Sequence, residues 1–245
     1  MDIGQILYYT SPSGGLARTA VSSIAIDGDF GVLDSQLSYG QRFSEPENAI
    51  DRARAILEER LKCEADTFSP KDRCALEERL QYLNGDTVLA ELISRPLVWR
   101  NAFGIFDWKD KKYESIPDDT FPNGYFVPGQ KVFALITPRT HYMFTTEWRP
   151  RPYFILQCIV RETLFSPNWQ GNLYYYLKDT QYSGFPRDRL RATMREARQR
   201  MTEIFADETC GVIDERMIPV FSASEEKKIF DKAKNNLIES RKAKA

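Results

Sequence analysis

The chain has 245 residues, with a hydrophobic fraction of 42%, a charged fraction of 28% and a formal net charge of -1. These values are typical of a globular protein that is long enough to bury a substantial core. The net charge is too close to zero for the molecule as a whole to attract a polyanion. Any basic surface must therefore be local.

The first 40 residues indicate β structure. The stretch QILYY, residues 5–9, predicts a strand, and SPSGG at 11–15 ends it. Two apolar, β-branched runs then flank Asp27-Gly28. Because Asp and Gly tolerate the positive φ angles of a two-residue turn, this dipeptide predicts a β-hairpin.

Residues 44–95 indicate a helical insertion or subdomain. Ser44 and Glu47 form a capping-box pattern at the start of a helix, and Ile50, Ala53, Leu57 and Leu61 share its apolar face. A second helix is predicted from Ser69-Pro70 to Asn84-Gly85, with Leu76, Leu80 and Leu83 directed inward. The stretch DTVLAELISR predicts a short third helix that ends before Pro96.

Residues 97–179 are rich in strand patterns with short connections, which favour antiparallel neighbours. In PYFILQCIVRE the apolar even positions, Phe154 to Val160, predict a core face, and Gln157 and Arg161 predict a wetter one. Helices are then expected over about 187–205 and from about 224, the second with a Ser222/Glu225 capping box. The sequence therefore predicts one α+β domain over residues 1–245, with a largely antiparallel, aromatic-rich sheet, a helical insertion and two C-terminal helices.

A row of arginines in PRDRLRATMREARQRMTEIF is the main functional signal. If residues 187–205 form one helix, four arginines fall within a narrow stripe that contains no acid: Arg187, Arg191, Arg195 and Arg198. Unpaired guanidinium groups suit phosphates, which accept bidentate hydrogen bonds. Alternatively, acidic side chains from elsewhere in the fold neutralise them.

The stretch RTHYMFTTEWRPRPYFILQ, residues 139–157, combines aromatic and basic side chains. The candidates for binding are Tyr142, Trp148, Arg149, Arg151 and His141, the only histidine. Aromatic side chains interleaved with arginines on a sheet are typical of proteins that bind single-stranded nucleic acid, and we expect Tyr174–Tyr176 on a neighbouring strand. The alternative is that the aromatic face is core beneath the helices.

Asp27 and Asp29 allow a different prediction, a Mg²⁺ site, because two carboxylates on one strand can hold one hard cation. With SGG at 13–15, the pair is loosely similar to the nucleotidyltransferase pattern, and with Asp118-Asp119 it resembles the motifs of haloacid-dehalogenase-like phosphatases. Gly28 and the missing threonine depart from these patterns. A simple hairpin turn also explains Asp27-Gly28.

The leading hypothesis is a nucleic-acid-binding protein, for RNA or single-stranded DNA, that is a non-catalytic subunit of a larger complex and needs no cofactor. The alternatives are a Mg²⁺-dependent nucleotidyl- or phosphoryl-transfer enzyme and a protein-interaction subunit or inhibitor. No apolar run approaches the roughly 20 residues of a membrane span. The four cysteines form no CxxC pair, so we expect neither zinc nor disulfides, and a cytoplasmic location.

Overall fold

The computed structural model describes residues 1–33, 40–63, 68–100, 113–137, 153–167, 172–180, 184–209 and 214–242. Twelve strands lie in these ranges: β1 (Ile6–Thr10), β2 (Leu16–Ala25), β3 (Phe30–Val32), β4 (Gln41–Phe43), β5 (Leu97–Arg100), β6 (Tyr113–Ile116), β7 (Lys131–Ile136), β8 (Phe154–Ser166), β9 (Asn172–Leu177), β10 (Phe185–Pro186), β11 (Leu190–Arg191) and β12 (Val220–Ser222). Five α-helices accompany them: α1 (Pro46–Cys63), α2 (Pro70–Leu83), α3 (Val88–Ser94), α4 (Met194–Thr209) and α5 (Ala223–Lys242). The fold is α+β, as the sequence predicts.

The chain divides into two compact units. Unit 1 comprises Met1–Ser23, Phe30–Phe121 and Pro167–Gly171, and unit 2 comprises Ile24–Asp29, Pro122–Ser166 and Asn172–Ala245. Each is described by itself below. The prediction of a single domain over residues 1–245 stays a prediction.

In unit 1, helices pack on a short antiparallel sheet. Strand β1 pairs with β2 on one side and with β4 on the other, while β5 and β6 form a separate two-stranded sheet. Helix α1 packs on β1, and Thr10 Oγ1 donates a buried hydrogen bond of 2.7 Å to Ala49 O. The core joins β1 to all three helices through Tyr8, Ala49, Ile50, Ala53, Leu57, Leu83, Val88 and Leu92.

The predicted ends of α2 and α3 are confirmed, whereas α1 begins at Pro46 and the predicted Ser44/Glu47 capping box stays a prediction. Ser69 caps α2 by accepting the N–H of Asp72 at 3.2 Å, Pro70 occupies the first turn, and Asn84 is the C-cap. Helix α3 ends at Ser94, two residues before Pro96. Of the predicted inward residues on α1, Ile50, Ala53 and Leu57 are buried, while Leu61 is half-buried.

In unit 2, a long strand carries the sheet. Strand β8 pairs antiparallel with β7 and with β9, and β12 is its parallel neighbour. Strand β10 adds to β9, and β11 adds to β7. All four residues of the predicted core face, from Phe154 to Val160, are buried. Helix α4 covers one end of the opposite face through a core formed by Phe133, Leu135, Ile155, Ala197, Met201, Ile204 and Ile218.

Helix α5 begins with the predicted capping box. Ser222 N–H donates to Glu225 Oε2 at 2.7 Å, and Glu225 N–H donates to Ser222 Oγ at 3.3 Å. Two otherwise unpaired backbone donors are thereby satisfied. The sequence pattern therefore locates the start of this helix correctly.

Candidate nucleic-acid interface

The predicted row of four arginines on one helix is wrong. Helix α4 begins at Met194, whereas residues 187–189 form a 3₁₀ turn and Leu190–Arg191 form β11. Leu190 is buried and pairs with Ala134 of β7. Because Arg187 and Arg191 precede the helix, the 100° helical spacing does not apply to them.

A capping box fixes the actual start of α4. Thr193 Oγ1 accepts the N–H of Glu196 at 3.2 Å, and Thr193 N–H donates to Glu196 Oε2 at 3.2 Å. The pattern Thr-x-x-Glu at 193–196 therefore marks the helix start in the sequence, and the prediction of a start near residue 187 did not take it into account.

We expect the substitution Thr193→Ala to destabilise the protein by about 1 kcal/mol, because the first turn of α4 loses its side-chain acceptor. Urea unfolding followed by circular dichroism measures this loss. Thr193→Ser is the matched control, since it keeps the hydroxyl, and it should remain close to the unsubstituted protein. Equal destabilisation by the two substitutions would contradict this capping role.

Arg187 is held against aromatic rings of unit 2. Its guanidinium lies 4.6 Å from the centroid of the Phe126 ring and donates to Gly124 O at 3.1 Å. A longer contact of 3.4 Å joins it to the hydroxyl of Tyr175. Arg187 therefore has a structural role, in which aromatic ring faces and uncharged oxygen acceptors stabilise its positive charge.

Arg191 is half-buried and binds the local backbone. Its Nη1 donates to Asp188 O at 2.9 Å and to Leu190 O at 2.6 Å. Burial, and then the neighbouring Arg200 guanidinium, lower the pKa of Arg191, while nearby acids including Asp188 and Glu196 oppose that shift. The positive charge of Arg191 is thus repelled by Arg200 and partly balanced by the nearby carboxylates.

Arg195 and Arg198 remain together on α4, since side chains three positions apart lie on the same flank of a helix. Arg198 donates to the backbone oxygen of Glu215. Arg195 is exposed and makes no hydrogen bond or ion pair with another residue in the described part of the chain. Within that part, none of the four arginines forms an ion pair with a carboxylate.

The hairpin residues predicted to contact nucleic acid lie outside the described residues: Tyr142, His141, Trp148, Arg149 and Arg151. Their roles stay predictions. Tyr174–Tyr176 lie in β9, the antiparallel neighbour of β8.

A different basic and aromatic surface lies on the sheet of unit 2, at the end that α4 leaves uncovered. Val160 of β8 and Leu177 of β9 are registered partners, and both are buried. Because side chains alternate along a strand, Ile159 and Tyr176 lie on the opposite face. Lys131 of β7 is the registered partner of Ile159 and shares that face.

We call this surface, formed by Lys131, Ile159, Arg161 and Tyr176, the open face. Ile159 is 41% exposed, whereas Ile155 on the same face of β8 is fully buried under α4. The register shift between Val160 and Glu162 marks a β-bulge at Arg161. Bulges redirect a side chain, and here the Arg161 guanidinium lies over the Tyr176 ring, 5.6 Å from its centroid.

Charge on the open face is mainly positive. The Lys131 ammonium lies 5.5 Å from the ring centroid of Phe133, a second cation–aromatic pair at the same sheet end. Lys178, exposed directly after β9, donates its backbone N–H to Ile159 O at 2.8 Å. The acids described on this part of the sheet include Glu162, the half-buried registered partner of Tyr176, and Asp179, which is exposed directly after Lys178.

Sequence reasoning found only part of this surface. The alternation in β8 predicted a wetter face at Gln157 and Arg161, and Arg161 is exposed. It missed Lys131, and it named Tyr174–Tyr176 only as a neighbouring strand, because which residues lie beside Arg161 depends on strand register. The bulge has no distinctive sequence pattern.

A hairpin forms at the predicted position, but its turn is not the expected two-residue turn. Of Asp27 and Gly28 only Gly28 has a positive φ, and Gly28 N–H donates to Ala25 O at 3.1 Å, so residues 26–28 make the connection. Gly28 has φ +91°, Ala25 N–H donates to Asp29 O at 2.7 Å, and β3 pairs with β2. The Asp27 carboxylate accepts the N–H of Asp29 at 3.2 Å, which is a local turn contact.

Across the described ranges, no three side chains from His, Cys, Asp or Glu come together in a way that could hold a metal ion. Asp118, nominated as part of a later acidic pair, forms an ion pair with Arg18. The Mg²⁺ alternative at Asp27 and Asp29 stays a prediction.

No helix in the part of the chain that the structure describes is both long enough and apolar enough to cross a membrane. The chain matches none of the protein-family models, curated proteins or solved structures with which it was compared.

Proposed function

We propose that this protein binds single-stranded nucleic acid, RNA or DNA, through the open face and does not act on it catalytically. The observation that carries the proposal is the pair of cations over aromatic rings, Arg161 over Tyr176 and Lys131 over Phe133, beside the exposed Ile159.

Each part of this surface suits a nucleotide chain. A base can stack on an aromatic ring or on the guanidinium plane of Arg161, and stacking on an aromatic side chain contributes about 1–3 kcal/mol per base. Lys131, Lys178 and Arg161 offer positive charge to consecutive phosphates. Ile159 supplies an apolar contact for a base or sugar. With a whole-chain charge of -1, this local charge sets where a polyanion can bind.

Arg195 extends the positive charge available in unit 2, because it is exposed and has no partner among the described residues. Arg198 has several N–H donors beyond the one that binds Glu215 O. From the sequence we further propose a cytoplasmic location and membership of a larger complex.

The charge test replaces Arg161 and Lys131 by glutamine, singly and together. Fluorescence anisotropy with a labelled single-stranded oligonucleotide at several salt concentrations gives the slope of log K against log salt. For single strands, each lost phosphate contact should reduce the magnitude of that slope by about 0.7. Arg52→Gln, which removes an exposed cation of α1, is the matched control and should leave the slope unchanged.

The stacking test replaces Tyr176 by leucine, which keeps an apolar side chain of similar bulk. A lost stack should weaken binding roughly 5- to 150-fold, with little change in the salt slope. Tyr82→Leu on α2 is the control, because Tyr82 is an exposed tyrosine of unit 1. Failure of the unsubstituted protein to bind any oligonucleotide at low salt would end the proposal.

The same variants distinguish an acidic protein partner, the alternative suggested by the sequence. Such a partner depends on the cations of the open face, so Arg161→Gln and Lys131→Gln weaken its binding. An acidic protein partner has no nucleobases, so base stacking on Tyr176 does not contribute to its binding. Oligonucleotide binding that needs Tyr176 therefore favours nucleic acid.

A further inference from the structure

A cleft in unit 2 lies apart from the open face and shares none of its residues. Its volume is about 580 Å³, within the range of small-molecule sites. Side chains of α4 and of the 187–189 turn supply its polar lining: Asp188, Arg189, Arg200, Asp207 and Glu208. Tyr153 and Ile204 add an apolar part.

Arg189 is a guanidinium whose hydrogen-bonding capacity is largely unused. Its side chain is only 21% exposed, yet its Nε lies 3.8 Å from Asp188 Oδ2 and its Nη1 lies 3.4 Å from Thr137 Oγ1. Both distances exceed those of a strong N–H···O hydrogen bond. A mostly buried charge with such long contacts gains from an added anion, and a carboxylate can accept two of its N–H groups at once.

The acids of the cleft provide the opposite charge. Asp207 is exposed and forms no hydrogen bond or ion pair with another described residue. Glu208 accepts the hydroxyl of Tyr153 at 2.9 Å, and the Tyr153 ring packs edge-on against Phe205 with centroids 4.7 Å apart. The Glu208 carboxylate is therefore held by the Tyr153 hydroxyl, and the Asp207 carboxylate lines the same cleft without such a contact.

Charge complementarity selects the ligand. Arg189 attracts a simple anion, whereas Arg200 is already in a 2.8 Å ion pair with Glu203. The acids Asp188, Asp207 and Glu208 repel an anion, and a simple cation meets the reverse. A molecule that carries both charges can place its carboxylate beside an arginine and its ammonium beside an acid at the same time. We propose that this cleft binds a small zwitterion with a carboxylate and an ammonium group, the class of α-amino acids and short peptides, with the carboxylate on Arg189 and the ammonium on Asp207.

The test is thermal unfolding of the full chain with the standard amino acids and a set of dipeptides, followed by calorimetric titration of those that stabilise it. A ligand that binds the folded state raises Tm with concentration. Acetate alone, which has no ammonium group, and putrescine alone, which has two ammonium groups and no carboxylate, should raise it little. Stabilisation by no zwitterion, or equal stabilisation by acetate alone or by putrescine alone, overturns the proposal.

Two variants locate the ligand. Arg189→Gln and Asp207→Asn should each weaken binding roughly tenfold or more, because each removes one charge-assisted hydrogen bond. Asp207 is exposed, so Asp207→Asn leaves the fold intact even if Arg189→Gln does not. The controls are Asp231→Asn on α5 and Arg195→Gln on the other flank of α4, and both should bind as the unsubstituted protein does. Unchanged affinity in Asp207→Asn places the ligand elsewhere.

Discussion

Replacing Ile155 by alanine should lower the free energy of unfolding by about 2–5 kcal/mol. Ile155 lies near the start of β8, is fully buried, and belongs to the core that holds α4 on the sheet. Alanine removes three carbon atoms and leaves a cavity between the sheet and the helix, so both the transfer free energy and the packing contacts are lost. Urea unfolding followed by circular dichroism measures the loss.

Ile159 provides a control on the same strand and the same face. It is four residues further along β8, beyond the end of α4, and 41% exposed. Ile159→Ala should therefore change the unfolding free energy by only about 0.5 kcal/mol, typical of a surface position. Similar losses at Ile155 and Ile159 would show that Ile159 is buried in solution. The open face would then be covered.

The helices of unit 1 could be predicted because their signals are local. At Ser69-Pro70 the serine side chain accepts a backbone N–H and the proline has a fixed φ angle, and together they set the start of α2. Pro96 cannot continue a helix, so α3 ends before it. The same holds for Ser222 and Glu225 at the start of α5. Each signal acts within about four residues, so no tertiary contact is needed to interpret it.

The start of α4 could not be predicted from periodicity alone. Leu190 fits the apolar stripe of a helix that continues from Met194, but it is equally suited to the buried position opposite Ala134 in a strand pair. The pairing with β7, more than 50 residues earlier in the chain, makes Leu190 part of a strand and not of the helix. A helical wheel contains no information about such a pairing. Thr193 and Glu196 mark the real boundary.

The open face illustrates the same limit for a functional surface. That β8 has a buried face and a wetter face follows from its alternation, which the sequence shows. The sequence does not show which half of the wetter face α4 covers, because Ile155 and Ile159 are the same residue type and lie on the same face of β8. The register of β7 and β9 then adds Lys131 and Tyr176, and registers depend on the whole sheet.

Replacing Gly4 by alanine should destabilise unit 1 by about 2–5 kcal/mol. Gly4 has φ +86°, a left-handed conformation that costs an L-residue about 1–2 kcal/mol. A methyl group there would also lie 2.7 Å from Cγ and 2.8 Å from Cβ of Phe121, so the backbone or the ring must move. Such overpacking adds about 1–3 kcal/mol.

Gly28→Ala separates the two contributions. Gly28 has a similar φ of +91°, but a methyl group there meets no atom within 4 Å, so only the backbone cost of about 1–2 kcal/mol remains. Urea unfolding of the two variants should therefore differ by the overpacking at Phe121 alone. The double variant Gly4→Ala/Phe121→Ala tests this directly, because removing the ring should cancel part of the Gly4→Ala cost relative to Phe121→Ala alone. Strict additivity of the two substitutions would mean that the Gly4–Phe121 contact does not form in solution.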